Sequence, residues 1–143
     1  PAENVALDAW VRGGGRLLLF ADPMLTRRSR YPVGDRRRPQ DVVLLSPILA
    51  HWGLELRFDG AQAEGERLIE TEGVVVPGNL AGSLALADGA ACTLAAQGFM
   101  ARCRLGKGRV IVVADAAVLD DPESGEFDQR RNALAHLLIL AFD

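Results

Sequence analysis

The sequence predicts an α/β fold, with helices laid on a sheet of mostly parallel strands, and three features predict it. The stretch from Asp8 to Pro23 passes from a helix end through Gly13-Gly14-Gly15 into a continuous apolar strand that stops at an acidic residue. The same order of helix, glycine and strand returns between Ser46 and Phe58. Two apolar strands, Leu17 to Ala21 and Arg109 to Ala114, end alike, in Asp22 and Asp115. Continuous apolar runs mark strands covered on both faces, as in a doubly wound sheet.

Size and composition bound the possibilities. A chain of 143 residues is read as one domain, residues 1–143, with 49% hydrophobic and 24% charged residues, a globular balance. The longest apolar run, Ala133 to Phe142, is interrupted by His136 and is too short to span a bilayer. The chain opens on Pro1 rather than Met, so a piece of a longer protein is expected. A net charge of −3 argues against nucleic acid as a partner. Cys92 and Cys103 are too few for a disulfide framework and lack metal-ligand spacing.

Taken in order, Glu3 to Arg12 reads as a buried helix whose exposed stripe is Asn4, Asp8 and Arg12. Asp8 and Arg12 can pair across one turn. The three glycines stop this helix. They do not cradle a phosphate, because phosphate loops follow a strand and open a helix, and here the order is reversed. After Asp22-Pro23 comes an aperiodic segment, Met24 to Gln40. It leaves the C-terminal end of a strand, the edge where open α/β sheets bind ligands. Six of the fifteen arginines lie between Arg27 and Arg38. A solvated loop is the plainer reading of that run; a receiver for an anionic ligand or an acidic partner surface is the functional one.

Asp41 to Trp52 reads as helical, with Ser46-Pro47 as N-cap and first residue of its regular part, and Leu54 to Phe58 as the next strand. From Asp59 to Gln97, short apolar runs between Gly, Asp and Asn predict short strands and turns, with a turn at Pro77-Gly78-Asn79. Phe99 to Leu105 alternates and Arg109 to Ala114 returns, giving a hairpin about Gly106-Lys107-Gly108. Asp115 to Phe127 is an acidic loop. Asp128 caps a last helix to Phe142, with Ala133, Leu134, Leu137, Leu138 and Ala141 on its core face.

If both apolar strands are central and parallel, Asp22 and Asp115 lie at one sheet edge. Two carboxylates there could bind a divalent metal or share a proton; more commonly, an Asp that ends a strand bonds the N–H groups of the turn it begins. Further metal ligands would have to come from Asp120, Asp121 or Glu123. No nucleophile elbow surrounds Cys92, Cys103 or Ser46. His51 and His136 read as helix residues, and Trp10 and Trp52 as core anchors. No catalytic residue, metal ligand set or cofactor is assigned.

Leu7-Asp8-Ala9-Trp10-Val11-Arg12-Gly13-Gly14-Gly15-Arg16-Leu17-Leu18-Leu19, with the strand ending in Asp-Pro, resembles the signature of class I glutamine-amidotransferase-like domains. Ser46-Pro47-Ile48-Leu49-Ala50-His51-Trp52-Gly53-Leu54, the hairpin from Leu105 to Asp115 and the helix from Asn132 to Leu138 are similar to segments of the auxiliary proteins of gliding-motility-type ABC transport systems. The resemblance implies a flavodoxin-like three-layer sandwich with a β-rich insertion. It implies an extracytoplasmic domain of a membrane-anchored parent, without amidotransferase catalysis, since the family's Cys and His have no matching positions. Such domains begin with a strand before the first helix, so a missing first strand is expected. The functional expectation is a non-catalytic binding or interaction module of an ABC-type transport system. Its ligand-binding candidates are Asp22, Arg27, Arg28, Arg30 and Asp115, and its partners are other transport subunits, an acidic surface or a small anionic ligand. The alternative is a hydrolase or metal-dependent enzyme built on the two carboxylates.

Overall fold

The computed structural model describes residues 2–38, 44–120 and 127–143. In chain order the elements are α1 (Ala2–Arg12), β1 (Arg16–Phe20), α2 (Ser46–His51), β2 (Leu54–Arg57), β3 (Arg67–Thr71) and β4 (Val74–Gly78). They continue with β5 (Ser83–Leu86), β6 (Cys92–Ala95), β7 (Met100–Leu105), β8 (Gly108–Val113) and α3 (Phe127–Phe142), with short 3-10 turns at Ala96–Gly98 and Ala117–Leu119. The main sheet has the order β1-β8-β7-β6. Within it β1 runs parallel to β8, while β8–β7 and β7–β6 are antiparallel.

The fold is therefore mixed α/β, and the expectation of a mostly parallel sheet is corrected. Among the described strands one pair is parallel. The hairpin is the reason: the turn at Gly106-Lys107-Gly108 returns β8 beside β7 and delivers it into the place next to β1. β2, read as a continuation of the parallel sheet, instead pairs antiparallel with β5 in a separate two-stranded sheet, and β3 pairs with β4 in another.

Alternation along β8 divides the core. Val110, Val112 and Ala114 face Val11 of α1 and Ile48, Leu49 and Trp52 around α2. Ile111 and Val113 face Ala133, Leu137 and Ala141 of α3. Helices thus cover both faces of the sheet. Each fully buried Val, Leu or Ile contributes roughly 1.5–3 kcal/mol. Of the expected core face of α3, Leu134 is half-buried and Leu138 is exposed. The helix begins at Phe127, so Asp128 stands in its first turn rather than capping it.

The hairpin turn seals the end of α1. Lys107 N–H donates to the Arg12 carbonyl at 3.0 Å, and a Cβ on Gly108 would lie 1.9 Å from the Val11 oxygen. Only glycine permits that approach, which gives the Gly-Lys-Gly sequence its structural reason. At the same end of the molecule, Arg16 donates to the Phe142 carbonyl and Arg109 to that of Leu140, placing cations at the C-terminus of α3 where the helix dipole favours them.

Three further expectations change. The stripe of Asn4, Asp8 and Arg12 is not the exposed one, since Val5 and Trp10 are 70% and 52% exposed while Asp8 turns inward. The buried Trp52 indole N–H requires an acceptor, and Asp8 supplies it at 2.8 Å while pairing with Arg12 at 2.9 Å. Burial works against the Asp8 carboxylate, but hydrogen bonds from Arg12 and Trp52 outweigh it and hold its pKa below the usual value. Leu45, not Ser46, occupies the N-cap of α2, and no side chain caps that helix. Cys92 and Cys103, paired in register across β6 and β7, form a disulfide. The helical reading of residues 41–43 and the loop reading of 121–126 lie outside the described residues. Among the described residues no helix is long and apolar enough to cross a membrane.

Candidate functional site

The parallel register of β1 and β8, with Phe20 opposite Val113, carries two residues further to set Asp22 beside Asp115 at one sheet edge. The sequence expectation of a shared edge therefore holds for these two residues. Both are buried, at 8% and 2% exposure. Asp22 accepts the Met24 N–H at 2.9 Å on one oxygen and the Ala116 N–H at 3.3 Å on the other. Asp115 accepts the Ala117 N–H at 2.7 Å and the Asn79 N–H at 2.6 Å. Each carboxylate thus holds the turn it begins, and each also reaches a second segment. Asp22 reaches the β8 exit and Asp115 the β4 exit.

Burial pushes the Asp115 carboxyl up to about 7, against the pull of its backbone donors, and the neighbouring Asp22 charge adds to the rise. Burial also raises Asp22. Four oxygens carrying four N–H groups are a fastening. Among the described residues no group of three metal-ligating side chains occurs, and no arginine pairs with either carboxylate. Of the further candidates, Asp121 and Glu123 lie outside the described residues.

The arginine loop leaves the same edge but is not drawn onto the pair. Arg27, Arg28 and Arg30 are exposed. The loop is organised on Tyr31, whose ring lies 5.1 Å below the Arg30 guanidinium and 4.4 Å below that of Arg37. Arg37 pairs with Asp35 at 2.8 Å, and Arg38 donates to the Tyr31 carbonyl at 3.0 Å. The loop thus contains some of its own counter-charge.

A cleft of about 400 Å³, which the sequence reading missed, adjoins the carboxylate pair. One side of it is β3, residues 67–70, and the other is formed by Leu80, Ala96 and Gln97. Those three have φ of 53°, 48° and 55°, left-handed backbone that side-chain-bearing residues rarely adopt and that clusters at binding sites. Asp115 braces this wall. Its oxygen lies 3.1 Å from where a Gly78 Cβ would stand, it holds the Asn79 N–H, and the Asn79 side chain accepts from Gly65 N–H at 2.9 Å. Gln62 Nε2 donates to the Ala81 carbonyl at 2.9 Å from the other direction. The available signals in sequence were Pro77-Gly78-Asn79 and Gln97-Gly98, and neither reveals a cleft, because their meaning depends on which strands meet there.

His51 stands 3.3 Å from Asp8, and His136 lies on α3 with its Nε2 buried. Neither is brought to the carboxylate pair.

No family model matches the chain, and no curated protein matches it. Among solved structures the chain is similar to exo-beta-1,4-mannosidase Op5Man5 from Opitutaceae bacterium strain TAV5, at 17% identity and a TM-score of 0.49. That likeness covers 98% of this chain and 22% of the mannosidase, and it is too weak to carry an argument about activity. The resemblance to glutamine-amidotransferase-like domains of gliding-motility-type auxiliary proteins is corrected by these findings. No family model supports it, and the mixed sheet with its separate strand pairs is not a clear flavodoxin-like arrangement.

Proposed function

We propose that the chain is a non-catalytic binding or interaction module. The observation that carries this reading is that each of the four carboxylate oxygens of Asp22 and Asp115 accepts a backbone N–H, at 2.6–3.3 Å. A general base or metal ligand needs an oxygen directed at substrate or ion, and these oxygens are directed at the fold. The cleft beside them, with its left-handed wall, has the volume of a ligand pocket.

The assembly proposed for the module is an ABC-type transport system, as an extracytoplasmic auxiliary component of a membrane-anchored parent. Its partners are other subunits of that system or an acidic surface, met by Arg27, Arg28 and Arg30, or a small anionic ligand. The Cys92–Cys103 disulfide supports an extracytoplasmic location, because such bonds persist in oxidising compartments. Exposed guanidinium groups on a loop at the ligand edge support an anionic partner.

The test is cross-linking of the parent protein in its native membrane, followed by identification of captured proteins. Capture of transport subunits that is lost in an Arg27→Glu, Arg28→Glu, Arg30→Glu variant is the expected result. Capture of none by the unaltered protein contradicts the assembly, and equal capture by the variant contradicts the arginine contact.

One observation favours a second reading, a hydrolase or metal-dependent enzyme: a carboxyl raised to about 7 is poised for proton transfer near neutral pH. Hydrolytic turnover, or divalent-ion binding by calorimetry, that disappears in a folded Asp115→Asn variant would establish it.

A further inference from the structure

We propose that the end of the sheet opposite Asp22 and Asp115 carries an oxyanion site, in which Arg16, Arg104, Lys107 and Arg109 receive a phosphate monoester group. The site is separate from the arginine loop and goes beyond the binding-module reading.

Strand register sets three arginines in one row. Arg16 of β1 stands opposite Arg109 of β8, and Arg109 stands opposite Arg104 of β7. Residues opposite one another share a sheet face, here the face of Ile111 and Val113 that α3 covers, and neighbouring strands are only about 4.8 Å apart. Like charges opposite one another across strands are destabilising, so the row calls for an opposite charge. Lys107 in the hairpin turn joins it, and the four cations line one cleft of about 130 Å³ with Gly106 and Gly108. Pockets for drug-sized ligands hold about 300–1,000 Å³, whereas this cleft suits one small anionic group.

The chain does not supply that charge. Arg102, two residues before Arg104 on β7, pairs with Glu72 at 3.3 Å, as Arg12 pairs with Asp8 at 2.9 Å. Among the described residues none of the four cations of the cleft has a carboxylate partner, Asp143 after the end of α3 included. Carbonyls meet two of them. Arg16 and Arg109 each give one nitrogen to the C-terminus of α3, at Phe142 and Leu140. A helix end offers about half a negative charge, against four positive ones. Those bonds fix the two guanidinium groups in place, and each group keeps further N–H donors. The side chains of Arg104 and Lys107 are exposed and without a partner among the described residues. Two fixed guanidinium forks and two free cations fit a group with several oxygens and more than one charge. A phosphate monoester, at about −1.5 to −2 near pH 7, meets that requirement better than a carboxylate.

The probe is inorganic phosphate, titrated into the isotope-labelled chain at constant ionic strength and read by amide and arginine side-chain chemical shifts. Saturable changes are expected at Arg16 and at residues 104–109, with acetate producing none at the same concentrations. Arg104→Gln and Lys107→Gln, each at an exposed side chain without a partner among the described residues, are expected to weaken phosphate binding about tenfold apiece. Thermal unfolding of each variant confirms that it is folded. Phosphatidylcholine vesicles carrying phosphatidic acid separate the two sources of the group. Sedimentation with them that is lost in Arg104→Gln identifies a lipid headgroup, and saturable phosphate binding without sedimentation identifies a soluble phosphate ester. Shifts that fail to saturate, equal shifts with acetate, changes confined to residues 27–38, or unchanged affinity in both folded variants overturns the site. So does equal sedimentation with phosphatidylserine vesicles, which would show attraction to surface charge alone.

Discussion

Two polar features, the carboxylate pair where β1 and β8 end and the outer edge of β3 in a separate two-stranded sheet, differ in how their hydrogen bonds are satisfied. Asp22 and Asp115 are charge-bearing residues, buried, with every oxygen holding a backbone N–H. The β3 edge a short distance away presents the main-chain groups of Leu68 and Glu70, which alternate with the bonded pairs Arg67–Gly78, Ile69–Val76 and Thr71–Val74 and have no partner among the described residues. The feature that looks chemical is engaged in holding the chain together. The feature without a distinctive side chain has bonding capacity left over. Polar groups inside a fold are costly unless satisfied, so a satisfied pair indicates structure, while an open edge is left to solvent.

The largest expected effect breaks the first half of that comparison. Asp115→Ala leaves the Asn79 and Ala117 N–H groups buried without an acceptor and should destabilise the chain by roughly 3 kcal/mol, measured by denaturant unfolding. Because Asp115 also braces the cleft wall, the same variant should broaden amide signals at residues 78–82. A purely catalytic Asp115 would instead tolerate or even gain stability from the change.

The pH dependence comes next. With Asp115 raised to about 7 from an ordinary 3.8, the folded state binds the proton more tightly than the unfolded state. The stability from this group is fully present below about pH 4 and is lost as pH rises through 7, a decline of a few kcal/mol at most. Asp22, also raised, acts in the same direction, whereas Asp8, lowered, loses its contribution only as pH falls through the acid range. Unfolding free energies at several pH values should show the decline, and Asp115→Asn should flatten it.

Reduction of Cys92–Cys103, whose cysteines are 11 residues apart in sequence, should cost about 2–3 kcal/mol and lower the Tm. It should leave the bonding of the carboxylate pair unchanged, since the disulfide joins β6 to β7 on the other side of the sheet from β1. The smallest effect belongs to the open edge. Glu70→Pro should change stability by only about 0.5–1 kcal/mol, because no ladder bond is lost. A loss of several kcal/mol would mean that the Glu70 N–H already has a partner.

The sequence made some of this legible for physical reasons. Apolar runs ending in Asp22 and Asp115 identified two strands, of which β8 is buried and β1 is a half-buried outer strand rather than a central one, and their parallel pairing brought the carboxylates together as expected. The hairpin was visible because alternation and a Gly-Lys-Gly turn are local signals. Strand partners are not local. Nothing in Leu54 to Phe58 announces that it will pair with Ser83–Leu86 rather than extend the main sheet. The inward turn of Asp8 was equally hidden, since it depends on the Trp52 indole, 44 residues away in sequence. The cleft needed all of these at once: β3 unpaired on one side, Asp115 reaching Asn79, and three residues in left-handed backbone across from it.

Hydrogen exchange of the native chain, resolved amide by amide, tests the contrast between the two features most directly. Asn79 and Ala117, held by Asp115, should exchange slowly, as should Ile69 and Thr71 on the bonded side of β3. Leu68 and Glu70 should exchange much faster than their immediate neighbours. Rapid exchange at Asn79 and Ala117 together with protection at Leu68 and Glu70 would contradict the account, freeing the carboxylates for chemistry and closing the edge.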